Sequence, residues 1–400
     1  MAISEKMRTL VLQKARGKLP LQVKWRRHFH QAPEISNQEF RTTAYIERQV
    51  KNLGLKVTPI KLDTGLVAEL HGGHRGKTAA VRTDIDALPV REMTRLSFKS
   101  RIDGAMHACG HDVHMAVVLG VAAILGELRA DLKGKVRFIF QPAEEEPPGG
   151  AEPLIAGGVL KDVKMIFGLH VDPHLSTGKI SLRDGVTMGS VTDFDLIVHG
   201  RGGHAARPND GVDAIATAAD VVNSVQKVVA REVDPIEPLV ITFGKIEGGT
   251  ARNTICDRVK LTGTARTLSP ALARRLPGLI KKAARGACQA RRARLEMNLV
   301  ASYPVLSNHP EANRILATNY EALFGKGKIE RTELVLGGED FARYLQKTKG
   351  AMFRLGVMNR KIGADKPWHS PAFTVDEKAI LYGTALIAAS VIDFLHGGVS

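Results

Sequence analysis

Apolar residues recur at helical spacing over residues 23–30 and 42–53, divided by the turn Gln31-Ala32-Pro33-Glu34, so the chain opens on helices. Short apolar runs at 55–60, 66–70 and 78–82 predict strands. The apolar run 115–128 predicts a buried helix and 135–140 a buried strand. Gly149-Gly150 and Gly157-Gly158 bracket a short helix, and 165–170 is a third apolar strand. Near residue 190 the texture changes. Residues 191–198 alternate as a strand does, 211–230 is patterned as helix, 239–245 and 258–266 as strands, 269–289 as helix and 294–300 as strand. That order, β-α-β-β-α-β, describes a ferredoxin-like module. The earlier style then resumes: a helix over 308–323, another opened by Gly337-Gly338-Glu339-Asp340-Phe341-Ala342, a strand over 351–357 and an amphipathic helix over 376–395. The expected fold is α/β with two domains. Residues 1–189 and 302–400 form a mixed-sheet α/β/α domain, and 190–301 is inserted between them. No repeat of roughly 20–50 residues interrupts this reading.

Three of the predicted strands end in polar residues that bind metals or move protons. The first leads into Asp84-Ile85-Asp86, the second into Gln141-Pro142-Ala143-Glu144-Glu145-Glu146, and the third ends in His170. The carboxyl edge of parallel strands is where open α/β sheets keep their ligands. Solvated aspartates at a strand end, or an exposed acidic turn, would leave the same pattern. Between the first two strands lies Met106-His107-Ala108-Cys109-Gly110-His111-Asp112-Val113-His114, which packs imidazoles, a thiol and a carboxylate just before the apolar helix. These groups suit divalent transition metals. Alone, the string also suits a polar helix start with an incidental thiol. Adjacent glutamates repel unless cations hold them, and beside a metal one can ligate while its neighbour serves as a base.

Composition narrows the class without naming it. With 400 residues, 44% hydrophobic and 24% charged, the chain is an ordinary globular protein too long for one typical core. No apolar run reaches the length expected for a bilayer span. The first twenty residues lack a signal-peptide core and cleavage site, so a cytoplasmic location is expected. Cys109, Cys256 and Cys288 are odd in number and far apart, which argues against a disulfide framework. The net charge of +16 is the one unusual property. Its densest groups are Lys24-Trp25-Arg26-Arg27 and the series Lys281-Lys282, Arg285, Arg291-Arg292, Arg294, which reads first as the solvated face of a helix. No helix-turn-helix, zinc-finger or aromatic stacking signature stands beside it, so a nucleic-acid function is not expected. Attraction of acidic substrates is a milder use of the same field.

Three strings together carry a family resemblance: His107-Ala108-Cys109-Gly110-His111-Asp112, Gln141-Pro142-Ala143-Glu144-Glu145, and His369-Ser370-Pro371-Ala372-Phe373. Asp84-Ile85-Asp86-Ala87-Leu88-Pro89, Gly168-Leu169-His170, Gly202-Gly203-His204-Ala205, Arg252-Asn253 and Gly338-Glu339-Asp340-Phe341 extend it over nearly the whole chain. The chain resembles the metal-dependent aminoacylase and carboxypeptidase family, in the branch of hippurate hydrolases, auxin-conjugate hydrolases and N-acyl-amino-acid amidohydrolases. The resemblance implies two divalent ions per subunit, zinc or manganese, with cobalt or nickel also compatible. It implies Cys109 as a bridge between them and His111, Glu145, His170 and His369 as further ligands. Glu144 matches the catalytic base that activates water, and Asp86 a carboxylate that orients the site. His204 matches a histidine that reaches across a dimer interface to stabilise the oxyanion, and the inserted module a lid and dimerisation domain. Arg252 and Asn253 resemble polar contacts to substrate. His107 and His114 match no ligand, and His114 is expected to face its helix. Glu146-Pro147-Pro148 departs from the smaller, Gly-containing turn of relatives, which should alter the local loop and not the ligand set. The activity implied is hydrolysis of N-acyl amino acids by a homodimer or larger assembly, with a metallocarboxypeptidase acting on short peptides as the near alternative. A basic polyanion or nucleic-acid binder that merely retains the fold is the alternative from another class, and salt-dependent duplex binding without chelator-sensitive hydrolysis would favour it.

Overall fold

The computed structural model describes residues 3–397. Its internal contacts divide the chain into two compact units. The first comprises the residues up to Gly185, Ser307–Glu333 and the residues from Asp340 on; the second comprises Val186–Leu306 and Leu334–Glu339.

The first unit is built on an eight-stranded mixed sheet. Its order is Lys56–Thr58, Leu66–His71, Lys133–Gln141, His74–Asp84, Val163–Ser176, Gly350–Met358, Ile180–Leu182 and Ile329–Arg331. The four strands from Lys133–Gln141 to Gly350–Met358 are parallel neighbours, with Asp84 opposite Gln141 and Arg354 opposite His170. The polar residues that close the apolar runs therefore gather along one edge of the sheet. Strand His74–Asp84 runs two residues past its expected end, and Val163–Ser176 continues six residues beyond His170. The strand expected over 55–60 shrinks to Lys56–Thr58, at the rim of the sheet, where only one neighbour pairs with it. The segment expected to open a helix at Gly337 yields only Phe341–Leu345.

Helix His111–Glu127 is buried at every position from His111 to Leu125. A helix apolar all round belongs at the centre of a large core. Ala379–His396 is the second such helix. Contrary to expectation, its 18 residues, of mean hydropathy 1.6, are long and apolar enough to cross a bilayer. It is 83% buried within the protein, so its apolar surface is already covered.

The second unit holds a four-stranded antiparallel sheet in the order Leu239–Gly248, Arg258–Thr267, Ser190–His199, Arg294–Tyr303. Helices Ala214–Arg231 and Pro270–Ala290 cover one face with the stripes Ala214, Ala218, Val221, Val225 and Leu272, Leu276, Ile280, Ala284. Both start on capped turns. Asp213 accepts from Ile215 and Ala216 N–H, and Ser269 accepts from Leu272 N–H ahead of Pro270.

Candidate metal centre

The site grows from the turn that starts helix His111–Glu127. Gly110 has φ +90°, and a β-carbon there would lie 2.4 Å from Val171 Cγ2. Only glycine allows the turn to lie against strand Val163–Ser176. This approach brings Cys109 Sγ to 3.4 Å from His170 Nε2. Two further left-handed residues flank the site, Ala143 at φ +53° and His369 at φ +63°. Each conformation costs about 1–2 kcal/mol for a residue with a side chain. Hydrogen bonds hold both: Ala143 N–H donates to Glu39 Oε1 at 2.8 Å, and His369 N–H to Ala108 O at 2.9 Å. The first sets the chain for Glu144 and Glu145; the second ties His369 beside Cys109.

The structure brings six of the expected residues together. The donor atoms of Cys109, His111 and His170 lie within 4.8 Å of one another, as do those of Cys109, Glu145 and His369, and those of His111, Glu144 and Glu145. Cys109 thus belongs to two donor sets. The imidazoles are turned to ligate. His111 Nδ1 lies 2.9 Å from the Asp86 carbonyl and His170 Nδ1 2.8 Å from the Val171 carbonyl. A carbonyl only accepts, so each Nδ1 carries a proton, and each Nε2 is the atom turned toward the cluster. His111 Nε2 and Glu145 Oε1 are buried without a hydrogen-bond partner.

Charge tells the same story. Burial works against a cation at His111, yet Asp84, Asp86 and Glu145 raise its pKa to about 10. Burial raises Glu145 to about 7, with Asp86 adding to it. Burial pushes the Cys109 thiol well up, with help from Glu145 and Glu144, and pushes His170 well down, with help from Arg354. A buried acid-rich pocket in which a histidine is made to serve as the cation is short of positive charge. Divalent ions would supply it and would deprotonate the thiol. The donor set, the buried unpartnered atoms and the charge deficit all fit a pair of such ions.

Around Asp86, the carboxylate expected to orient the site, stand several supporting residues that were not assigned from the sequence. Asp86 Oδ2 accepts from Ser36 Oγ at 2.7 Å and from Glu145 N–H at 2.9 Å, while its Oδ1 lies 3.3 Å from His111 Nδ1. One carboxylate therefore holds two of the donors. Asp84 is gripped by Arg82 Nη1 at 2.7 Å and by His114 Nδ1 at 2.7 Å. His114 does not simply face its helix: its Nε2 accepts from Val171 N–H at 2.9 Å, beside His170. Arg82 continues to Asp340 Oδ1 at 2.6 Å. Asp112 receives Arg26 Nε and His30 Nδ1, each at 2.8 Å; burial would raise its pKa, but these two hold the carboxyl far below the usual carboxylate range. The spacing Asp-x-Asp and His-x-x-His hinted at the first group, whereas nothing local announces Arg26 or Asp340. His107 is buried with neither nitrogen hydrogen-bonded, and burial lowers its pKa to about 4.

His204, Arg252 and Asn253 lie on the second unit and are exposed. His204 pairs with Thr254 in a two-stranded ladder, and Ala205 N–H donates to the Asn253 carbonyl at 3.1 Å. The turn thus holds His204 and Asn253 side by side. Ala206 N–H donates to His204 Nδ1 at 3.1 Å, which leaves the ring proton on Nε2.

Known proteins match this chain along nearly its whole length. N-acetylcysteine deacetylase of Bacillus subtilis is 37% identical over 376 residues, covering 94% of this chain and 97% of the relative. Thermostable carboxypeptidase 1 of Saccharolobus solfataricus is 37% identical over 372 residues, covering 92% and 94%. A crystal structure from Bacillus subtilis, described as a dinuclear metal binding peptidase of the M20 family, is 33% identical, with a TM-score of 0.82 over 95% of this chain and 99% of that one. Residues 80–393 match the family model described as peptidase family M20/M25/M40. The cluster at the sheet edge therefore sits in a chain that belongs to peptidase family M20/M25/M40.

Proposed function

We propose that this hydrolase cleaves the amide bond of N-acyl amino acids, hippurate-like or N-acetylated, at a site where Cys109, His111, Glu145, His170 and His369 hold two divalent ions. The observation that carries the reading is the chain of overlapping donor sets that joins these five side chains with Glu144. Zinc or manganese suits the mixed sulfur, nitrogen and oxygen donors, and cobalt or nickel is compatible. Bound ions supply Lewis acidity toward water and toward the scissile carbonyl. The remaining work belongs to the protein. Glu144 takes a proton from water and delivers it to the leaving nitrogen, as base and then acid. Asp86 keeps His111 and Glu145 in register. The β-α-β-β-α-β order and antiparallel sheet of the second unit support a ferredoxin-like lid and dimerisation domain. His204 on that domain donates its Nε2 proton to the oxyanion across a homodimer, with Arg252 and Asn253 as further contacts to substrate. Three free thiols suit a reducing cytoplasm.

Metal-stripped protein is expected to lose hydrolysis of N-acetyl and N-benzoyl amino acids and to regain it on reloading with one of the four ions. Full activity in the presence of chelator overturns the reading. Faster turnover of dipeptides than of acyl amino acids in the same screen would favour a metallocarboxypeptidase. His204→Ala is expected to lower kcat by roughly 10²–10³ with a small change in KM, the usual effect of losing one oxyanion donor. Steady-state kinetics on the dimer checks this, and an unchanged kcat removes His204 from the mechanism.

A further inference from the structure

Glu39 stands immediately before helix Phe40–Asn52, where a side chain ordinarily accepts from the helix's first N–H groups. It makes no such bond. Glu34 does that work: its Oε1 accepts from Arg41 N–H at 3.2 Å and its Oε2 from Thr42 N–H at 2.7 Å. The Glu39 side chain is released from its own helix, yet it is 0% exposed. Burying a carboxylate is costly unless its surroundings use it. Burial and the Asp86 carboxylate raise its pKa, and hydrogen bonds pull it back.

Those bonds lead to the turn that carries Glu144. Glu39 Oε1 accepts from Ala143 N–H and Oε2 from Thr64 Oγ1, each at 2.8 Å. Ala143 comes directly before Glu144, and its φ of +53° is one that residues with a side chain adopt rarely. Thr64 is fixed in turn. Its neighbour Gly65 has φ +88°, and a β-carbon there would lie 2.6 Å from Pro142 Cδ, so this backbone presses on the same turn. Gly65 N–H donates to Thr43 Oγ1 at 2.8 Å, which ties it to helix Phe40–Asn52. The residues just before Glu39 reach the rest of the turn. Asn37 Nδ2 donates to Glu146 Oε2 at 3.2 Å, and Ser36 Oγ donates to the Asp86 oxygen that also accepts from Glu145 N–H. Residues 36–39 thus hold Ala143, Glu145 and Glu146, directly or through one carboxylate.

We propose that Glu39 is a positioning residue for Glu144, and that by gripping Ala143 N–H it keeps the left-handed turn on which the base is carried. Asp86 fixes the following amide, that of Glu145, so Glu144 is carried between two gripped N–H groups. With the first grip gone, the turn can relax toward an ordinary φ and swing the Glu144 carboxylate away from its water. A misplacement of about 1 Å is enough to cost a reaction up to a hundredfold in rate. The inference rests on the reading of Glu144 as the base and adds the residue that keeps that base in place.

The test is a double-mutant cycle of Glu39→Ala with Glu144→Gln, read as kcat, KM and metal content on each preparation. Glu39→Ala alone is expected to lower kcat by about tenfold to a hundredfold, with KM little changed and two ions retained. In the Glu144→Gln background it is expected to cost no more than about twofold, because residues that act as a unit are not additive. A merely structural role would cost the same factor in both backgrounds, and that outcome overturns the proposal. So does an unchanged kcat in Glu39→Ala, or a loss of ions, which would make Glu39 a support of the ligands instead. Glu39→Gln keeps an oxygen for Ala143 N–H and is expected to retain most of the wild-type kcat; a fall as deep as that of Glu39→Ala overturns a role through this hydrogen bond. Should Glu39→Ala not fold, Thr64→Val, which removes only the hydroxyl that fixes the other carboxylate oxygen, is run through the same cycle and read by the same rule. Full activity in Glu144→Gln alone overturns the base reading, and this inference with it, whereas a large loss there with additive Glu39→Ala overturns this inference only.

Discussion

Glu144→Gln is expected to lower kcat by roughly 10²–10⁴, the usual contribution of a positioned proton carrier, while two ions remain bound. Glutamine has nearly the same volume and keeps a carbonyl acceptor, but it cannot take a proton from water. In the proposed role of base and then acid, Glu144 serves both halves of the reaction, so the loss belongs at the upper end of that range. KM should change little, since no proposed substrate contact is removed. Glu145 cannot stand in, because its Oε1 is already placed 3.8 Å from His111 Nε2 and 3.6 Å from His369 Nε2. Steady-state kinetics with metal content measured on the same preparation checks the result. Full activity removes Glu144 as the base, and loss of the ions instead makes it a ligand.

The elements that carry these residues were legible because burial and polarity alternate locally. An apolar run that stops at Asp84, Gln141 or His170 marks a strand end without any knowledge of its neighbours, and the change of texture near residue 190 marks a second body with its own core. What the chain conceals is long-range pairing. Asp112 stands next to His111, but Arg26, which neutralises it, comes 86 residues earlier. Asp340 reaches Arg82 across 258 residues. His114 looked like a helix residue because its partners, Asp84 and Val171, sit on strands whose order no local pattern reveals. The apolar character of Ala379–His396 was also underread as amphipathic, since small residues such as Gly383, Ala385, Ala388 and Ala389 dilute its apolar appearance while letting it pack closely.

Cys109→Ser is expected to drop the metal content below two ions per chain and to abolish turnover at ordinary metal concentrations. Removing a residue that merely orients a ligand costs about 10–100-fold in metal affinity. Removing a donor that the proposed reading has both ions share should cost more, because each would lose a ligand at once. The same substitution would silence a cysteine nucleophile, and the pair Cys109 Sγ and His170 Nε2 at 3.4 Å superficially resembles one. The surroundings argue otherwise. A nucleophilic pair needs a stabilised thiolate and a protonated imidazole. Here burial, Glu145 and Glu144 drive the thiol pKa up, while burial and Arg354 drive the His170 pKa down, so both shifts oppose that ion pair. A cation shared by the sulfur and the nitrogen reverses both penalties, which a proton exchanged between them cannot do. Metal analysis therefore decides between the roles. Two ions retained by an inactive Cys109→Ser chain would make the sulfur a nucleophile, and their loss together with activity makes it the atom on which the centre is assembled.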